Sequence, residues 1–276
     1  MSKIYKHSDK IGNEGDLVKH SVLVNALHQL ISERQKRGKD CFRYLETHSG
    51  KAEYALSGHG KWRNGIGACQ RKWNLPKSSS AEKYPMIARY IALTPIGEEE
   101  MKYLGSHGFA HTLLTRQSVS YQMLLNDKYP EVCSAVREYY KAYPGVQVNQ
   151  GDFTLNSPNL LSAKPHFVLI DPPDIKTPHL YVDFMKSLIA ADIPFMCWTP
   201  RLANSKRPLT SEGANSAKYA AAASGSGIKT FGVQWQLKWS TSCCGCHIAV
   251  SDNISKSTSD TLNELGVLMD WHIESN

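Results

Sequence analysis

The sharpest chemical signal in the chain is Phe167-Val168-Leu169-Ile170-Asp171-Pro172-Pro173. Four apolar residues predict a buried strand with Asp171 at its carboxyl end. The two prolines after it fix the backbone and remove two N–H donors. The carboxylate and neighbouring carbonyls then face any ligand as acceptors only. Ligands of open α/β sheets bind outside the carboxyl ends of strands. A group of acceptors there suits an amino group on a ring, because it holds the hydrogens and leaves the nitrogen lone pair free to attack an electrophile. That is the requirement for methylating an exocyclic amine with S-adenosylmethionine. The bland alternative is a strand end with a capping Asp and a Pro-Pro turn, and the functional reading is the favoured one.

A second cluster, Cys243-Cys244-Gly245-Cys246-His247, suggests metal. Zinc takes four ligands, usually from two separated pairs. Cys41, Cys69, Cys133 and Cys197 make no second pair. The run reads better as a strand in which Cys packs as a small apolar residue, and no metal site is expected. Most of the eleven histidines, His28 among them, are expected to serve surface or packing roles.

These residues need an alternating scaffold. Leu17, Val18, Val22, Leu23, Ala26, Leu27, Leu30 and Ile31 predict a helix over 16–37, with Asp16 as N-cap and Gly38 as its stop. Cys41–Glu46 follows as a strand, ending in an acid and the turn-like Thr47-His48-Ser49-Gly50. Beyond Gly105 the pattern predicts helices at 106–116, 130–142, 180–190 and 214–223, and a short one near 262–269. Strands are predicted at 121–125, 146–148, 166–170, 194–198, 230–238 and 245–250. Strands separated by helices imply a mostly parallel sheet covered on both faces. The last two strands, with no helix between them, predict an antiparallel hairpin at one edge.

Residues 57–102 break this rhythm with Gly, Pro and Ser, and predict a small inserted helical subdomain. The basic excess is concentrated here: from Glu33 to Lys83 twelve Lys and Arg face five Asp and Glu, and the rest of the chain is neutral. A local excess of this kind suits a phosphate backbone. Lys61, Arg63, Arg71, Lys72 and Lys77 would form the face; a merely solvated surface is the alternative. The 276 residues, 41% hydrophobic and 21% charged, exclude wholesale disorder. No apolar run is long enough to span a membrane. The polar Met1–Lys10 lacks a signal-peptide core, and seven scattered cysteines point to a reducing compartment, hence the cytoplasm.

Several stretches in order carry a resemblance: Tyr5-Lys6-His7-Ser8, Gly12-Asn13, Asp16-x-x-Lys19-His20, Tyr44-Leu45-Glu46-Thr47-His48-Ser49-Gly50 with Tyr54 and Leu56, Trp62, Gly65-Ile66, Trp73, Tyr103-x-Gly105-Ser106, and Ile170-Asp171-Pro172-Pro173. Together they resemble the RlmJ (YhiR) family, which methylates the N6 amine of an adenine in large-subunit (23S) ribosomal RNA. The resemblance implies a class I S-adenosylmethionine-dependent methyltransferase (Rossmann-like) fold, with a methyltransferase domain over 1–56 and 103–276 and the insertion over 57–102. It implies Asp171 and Pro172 as catalytic. It implies that His20, His48, Ser106, Asp127, Gly151, Asp152 and Asp171 line the cofactor, with Asp127 on the ribose hydroxyls and Gly151-Asp152 near the adenine. Tyr5, Lys19 and Asp174 fall on the substrate side. The expected partner is ribosomal RNA, bound by a monomer, with no membrane.

Two positions depart from the family pattern. Its motif ends Asp-Pro-Pro-Tyr, where this chain has Asp174. Loss of base stacking on that aromatic is worth ~1–3 kcal/mol. Either Tyr181 or Trp198 substitutes, or the substrate differs, or activity is lost. Glu14 also stands where a His is common. The alternatives to an RNA adenine methyltransferase are a non-catalytic protein that binds cofactor or RNA, and an enzyme acting on DNA or another RNA.

Overall fold

The computed structural model describes residues 10–39, 41–56, 58–74, 81–94, 102–172, 177–202, 218–219, 221–235 and 243–275. Strands β1 (Cys41–Glu46), β4 (Ser120–Asp127), β5 (Val146–Gln150), β6 (Phe167–Ile170), β7 (Phe195–Leu202), β8 (Lys229–Gln234), β9 (Cys243–Val250) and β10 (His272–Ser275) form one sheet. Its order is β10-β8-β9-β7-β6-β1-β4-β5. The strands β7-β6-β1-β4-β5 run parallel. β9 lies antiparallel between β7 and β8. Chain order reverses between β1 and β6, so their carboxyl ends open a crevice.

The hairpin expected at an edge is therefore interior. β8 and β9 do pair antiparallel, but His272–Ser275 adds outside β8, pairing with Phe231–Gln234. Of the helix expected at 214–223, residues 214–217 and 220 lie outside the described residues, as do 236–238 of the strand expected there.

Helix α1 (Glu14–Lys36) packs on one face of the sheet with α4 (Ser106–Arg116) and α8 (Asp252–Met269). Helices α6 (Phe153–Ser162) and α7 (Pro178–Ala190) cover the other face, and α5 (Pro130–Tyr139) links β4 to β5. β6 shows how the two faces are served. Phe167 and Leu169 enter the α1 side and Val168 and Ile170 the α7 side, all fully buried. The next residue in this alternation, Asp171, turns back toward α1.

Between β2 (Glu53–Ala55) and β3 (Lys102–Leu104), a two-stranded antiparallel pair, lie a 3-10 turn (Lys61–Arg63), α2 (Ile66–Trp73) and α3 (Pro85–Ile91). These helices lean on α1 and α8. Glu264 of α8 accepts from the backbone N–H groups of Met86 and Ile87 at 2.9 and 3.0 Å, capping α3 with a carboxylate from another element. Gly65 lets the segment close on the chain before α1, since a Cβ there would lie 2.2 Å from the Gly12 carbonyl oxygen.

Candidate functional site

The carboxyl ends of β1, β4, β5 and β6 are tied into one rim. Ser49 N–H donates to the Asn126 carbonyl at 2.9 Å, and Gly151 N–H to the Asp127 carbonyl at 2.9 Å. The Asn126 amide donates to the carbonyls of Thr47 (2.9 Å) and Gly151 (3.2 Å). Gly50, at φ +61°, donates its N–H to Asp127 Oδ2 at 3.0 Å, and Tyr129 N–H reaches Asp127 Oδ1 at 2.9 Å. Each Asp127 oxygen keeps a lone pair beyond these bonds, as an acceptor for hydroxyl groups needs. Asp152 is exposed and caps α6, accepting from Thr154 N–H at 2.9 Å. The Thr154 hydroxyl and N–H hold its carboxyl below the usual range.

His48 stands on an aromatic pair. Its ring lies 5.3 Å from Phe153 and 6.1 Å from Tyr181, which stack on each other at 5.6 Å. Tyr181 is thus buried in packing, whereas Trp198, the other aromatic candidate, is only partly buried. Ser106 donates to Glu46 Oε1, and Tyr44 to Glu46 Oε2 at 2.9 Å. Glu46 is fully buried, and burial pushes its carboxyl up to about 8. His20 shares a hydrogen bond with the Tyr103 hydroxyl at 2.8 Å, which in turn meets Tyr90 at 2.7 Å. Burial, then the Lys19 charge, lowers the His20 ring to about 3, so it is neutral.

At β6, Lys19 Nζ sits 2.7 Å from Asp171 Oδ2 and 3.1 Å from Asp16 Oδ1. Lys19 is 8% exposed. Burial opposes its charge, but Asp171 and then Asp16 outweigh burial and hold the ammonium well above its ordinary value. The Trp198 ring lies 5.4 Å from the ammonium. Trp198 follows Cys197, which pairs with Ile170, so it stands next to Asp171 on the neighbouring strand. Asp171 Oδ1 has no hydrogen-bond partner among the described residues.

The resemblance-derived residues thus fall into four places: Asp127, Gly151 and Asp152 on the β4–β5 side; His48 and Ser106 about the end of β1; Lys19 with Asp171 and Pro172 at β6; and His20 on α1, against Tyr103. Tyr5, Pro173 and Asp174 lie outside the described residues. Pairing α1 with Asp171 spans 152 positions and leaves no local signature. The sequence marks Glu46 only as the acid that ends the first strand and Asn126 only as the neighbour of Asp127, and assigns neither a contact in the site.

The Cys243–His247 run lies in β9, where Cys246 is buried. Among the described residues no cluster suited to a metal ion occurs, and no helix is long and apolar enough to cross a membrane.

A parallel sheet with its reversal between β1 and β6, extended by an antiparallel β9 inserted between β7 and β8, is the class I S-adenosylmethionine-dependent methyltransferase fold. No family model matches the chain. Two curated relatives carry the name ribosomal RNA large subunit methyltransferase J. The Haemophilus influenzae protein is 32% identical over 180 residues, covering 61% of this chain and 58% of its own length. The Escherichia coli protein is 26% identical over 181 residues, covering 63% and 60%. The match thus spans about three fifths of each relative. Protein LPL1258 of Legionella pneumophila shares the fold over nearly the whole chain, with a TM-score of 0.68, 19% identity, and coverage of 96% of this chain and 98% of that one. The family resemblance read from the residues is matched by these two named relatives.

Proposed function

We propose that this chain is an S-adenosylmethionine-dependent methyltransferase that modifies the exocyclic N6 amine of an adenine in large-subunit (23S) ribosomal RNA. The observation that carries the reading is Asp171 at the crevice end of β6. It is held through one oxygen by a buried lysine, keeps the other oxygen available, and has two prolines after it.

The adenine amine shares its lone pair with the ring and is a poor nucleophile. Asp171 Oδ1 and the Pro172 carbonyl accept its two hydrogens and favour a geometry with the lone pair localised. The Asp171 carboxylate also stabilises the positive charge that grows on the nitrogen. Correct placement supplies most of the rate gain. The base must be unpaired or flipped to reach Asp171.

The residues present fit the cofactor. Asp127 offers acceptors to ribose hydroxyls. His20 Nε2 and Ser49 Oγ are buried without a partner among the described residues, and such atoms are ordinarily satisfied. A Cβ on Gly105 would lie 2.1 Å from the Lys51 carbonyl oxygen, so the wall is closely built. When bound, the cofactor supplies an electrophilic methyl group. His20, His48, Ser106, Asp127, Gly151 and Asp152 hold it, and Tyr5, Lys19 and Asp174 serve the substrate side, Lys19 through the carboxylate it pairs with. Residues 57–102 act as an inserted helical subdomain on the methyltransferase domain of 1–56 and 103–276. Its exposed Lys61, Arg63 and Arg71 meet the RNA backbone, with no acidic residue between positions 58 and 74. The enzyme works as a cytoplasmic monomer.

The test compares methyl incorporation from labelled S-adenosylmethionine into ribosomal RNA, transfer RNA and DNA. Incorporation into ribosomal RNA at least tenfold above the others supports the reading. Preference for DNA or transfer RNA replaces the substrate. Cofactor binding without transfer to any of the three makes the chain a binding protein.

A further inference from the structure

We propose that Asp16 is a positioning residue for methyl transfer: through Lys19 it fixes Asp171, and through Gly12 it ties that arrangement to the inserted helices. The proposal rests on the methyl-transfer reading above.

The sequence predicts Asp16 as the N-cap of α1. In the structure Asn13 caps the helix, its Oδ1 accepting from Asp16 N–H at 3.0 Å. Asp16 therefore lies inside the first turn, 9% exposed, with its carboxylate turned to other work. Oδ2 accepts from Gly12 N–H at 2.8 Å, and Oδ1 meets Lys19 Nζ at 3.1 Å. Lys19 passes the contact to Asp171 Oδ2 at 2.7 Å. At the other end, the Gly12 carbonyl accepts from Ile66 N–H at 3.0 Å, at the start of α2. Gly12 is held at φ +72°, and a Cβ there would press on Trp62 at 3.0 Å. A continuous path thus runs from the insertion, through Gly12, Asp16 and Lys19, to Asp171.

Asp16 holds the Lys19 ammonium as a second carboxylate besides Asp171, so that the contact on Asp171 Oδ2 is fixed from both ends. Releasing it would let the Asp171 carboxylate shift relative to the amine at the moment of transfer, which costs more in the transition state than in the bound base, so its loss should appear in kcat and not in KM.

The experiment measures methyl transfer to ribosomal RNA at saturating cofactor and RNA for the wild type, Asp16→Asn, Lys19→Met and the double variant, with cofactor affinity by calorimetry. Asp16→Asn is expected to lower kcat at least tenfold while KM for RNA and Kd for cofactor stay within threefold. The double variant is expected to be no slower than Lys19→Met, because both act along one path. Asp16→Asn at the wild-type rate, multiplicative losses in the double variant, or a loss confined to KM would overturn the proposal. Should Asp16→Asn be unfolded at the assay temperature, Lys19→Arg carries the test. It keeps the charge but displaces it, and a tenfold fall in kcat at constant KM is expected, with a wild-type rate overturning the proposal. If the wild type transfers to no nucleic acid, the functional reading falls and this one with it. If the wild type transfers and the variants match it, this one falls alone.

Discussion

Replacing Glu46 by Gln should remove a large pH dependence from the stability of the protein. Glu46 is fully buried at the end of β1, and both carboxyl oxygens accept hydroxyl hydrogens, from Ser106 and Tyr44. Burial raises its pKa from 4.5 to about 8. The folded value lies above the unfolded one. The contribution of Glu46 is therefore complete below pH 4.5 and is lost as pH rises to 8, because the unfolded chain sheds this proton first. At about 1.4 kcal/mol per pH unit, this interval amounts to roughly 4–5 kcal/mol. Against a total of about 5–15 kcal/mol for a native protein, that is a large share. Gln is of similar shape, is always neutral, and can accept from one hydroxyl and donate to the other. The buried histidines titrate alike in both proteins and cancel in the difference. Denaturant unfolding of both proteins at pH 4.5 and pH 8.5 measures the effect. The variant is expected to gain on the wild type by several kcal/mol between the two. Parallel pH profiles would show that Glu46 is ionised in the folded protein and refute the reasoning.

Asp171→Ala should abolish methyl transfer while leaving cofactor Kd within about tenfold, because the carboxylate acts on the target amine; calorimetry and a transfer assay read the two separately. Gly105→Ala should cost about 1–3 kcal/mol in denaturant unfolding, since its Cβ would meet the Lys51 carbonyl oxygen at 2.1 Å. Replacing Lys61, Arg63 and Arg71 together by Ala should weaken RNA binding on every sequence. It should also flatten the log-affinity against log-salt slope by about 2–3, as expected for the loss of three phosphate contacts.

Much of the scaffold was legible because its signals are local. The apolar run of β6, the helical spacing of α1 and the Gly105–Ser106 start of α4 each lie within a few residues of chain. Other elements hid for physical reasons. α8 reads as a short helix near Leu262, yet it begins at Asp252. Its first ten residues bury Ser257, Thr258 and Thr261, whose hydroxyls donate to carbonyls within the helix, so polar residues occupy the inner face. α6 contains Pro158 and two asparagines, so the sequence predicts no helix there, and the cap at Asp152 is seen only in the structure. The three- and four-residue strands β2, β3 and β10 are defined by their partners, which lie far away in sequence. The site divides in the same way. Asp171 was evident from its strand and prolines. Its partner Lys19, the inward turn of Asp16 and the burial of Glu46 depend on α1 and α4 packing over the sheet.

In the proposed reaction Asp171 presents the exocyclic amine of an adenine in ribosomal RNA for methylation. The most direct measurement is nucleoside analysis of protein-free ribosomal RNA after incubation with the protein and labelled S-adenosylmethionine. N6-methyladenosine is the expected labelled nucleoside, formed by the wild type and absent with Asp171→Ala. Label in any other nucleoside, or N6-methyladenosine formed equally well without the Asp171 carboxylate, would contradict it.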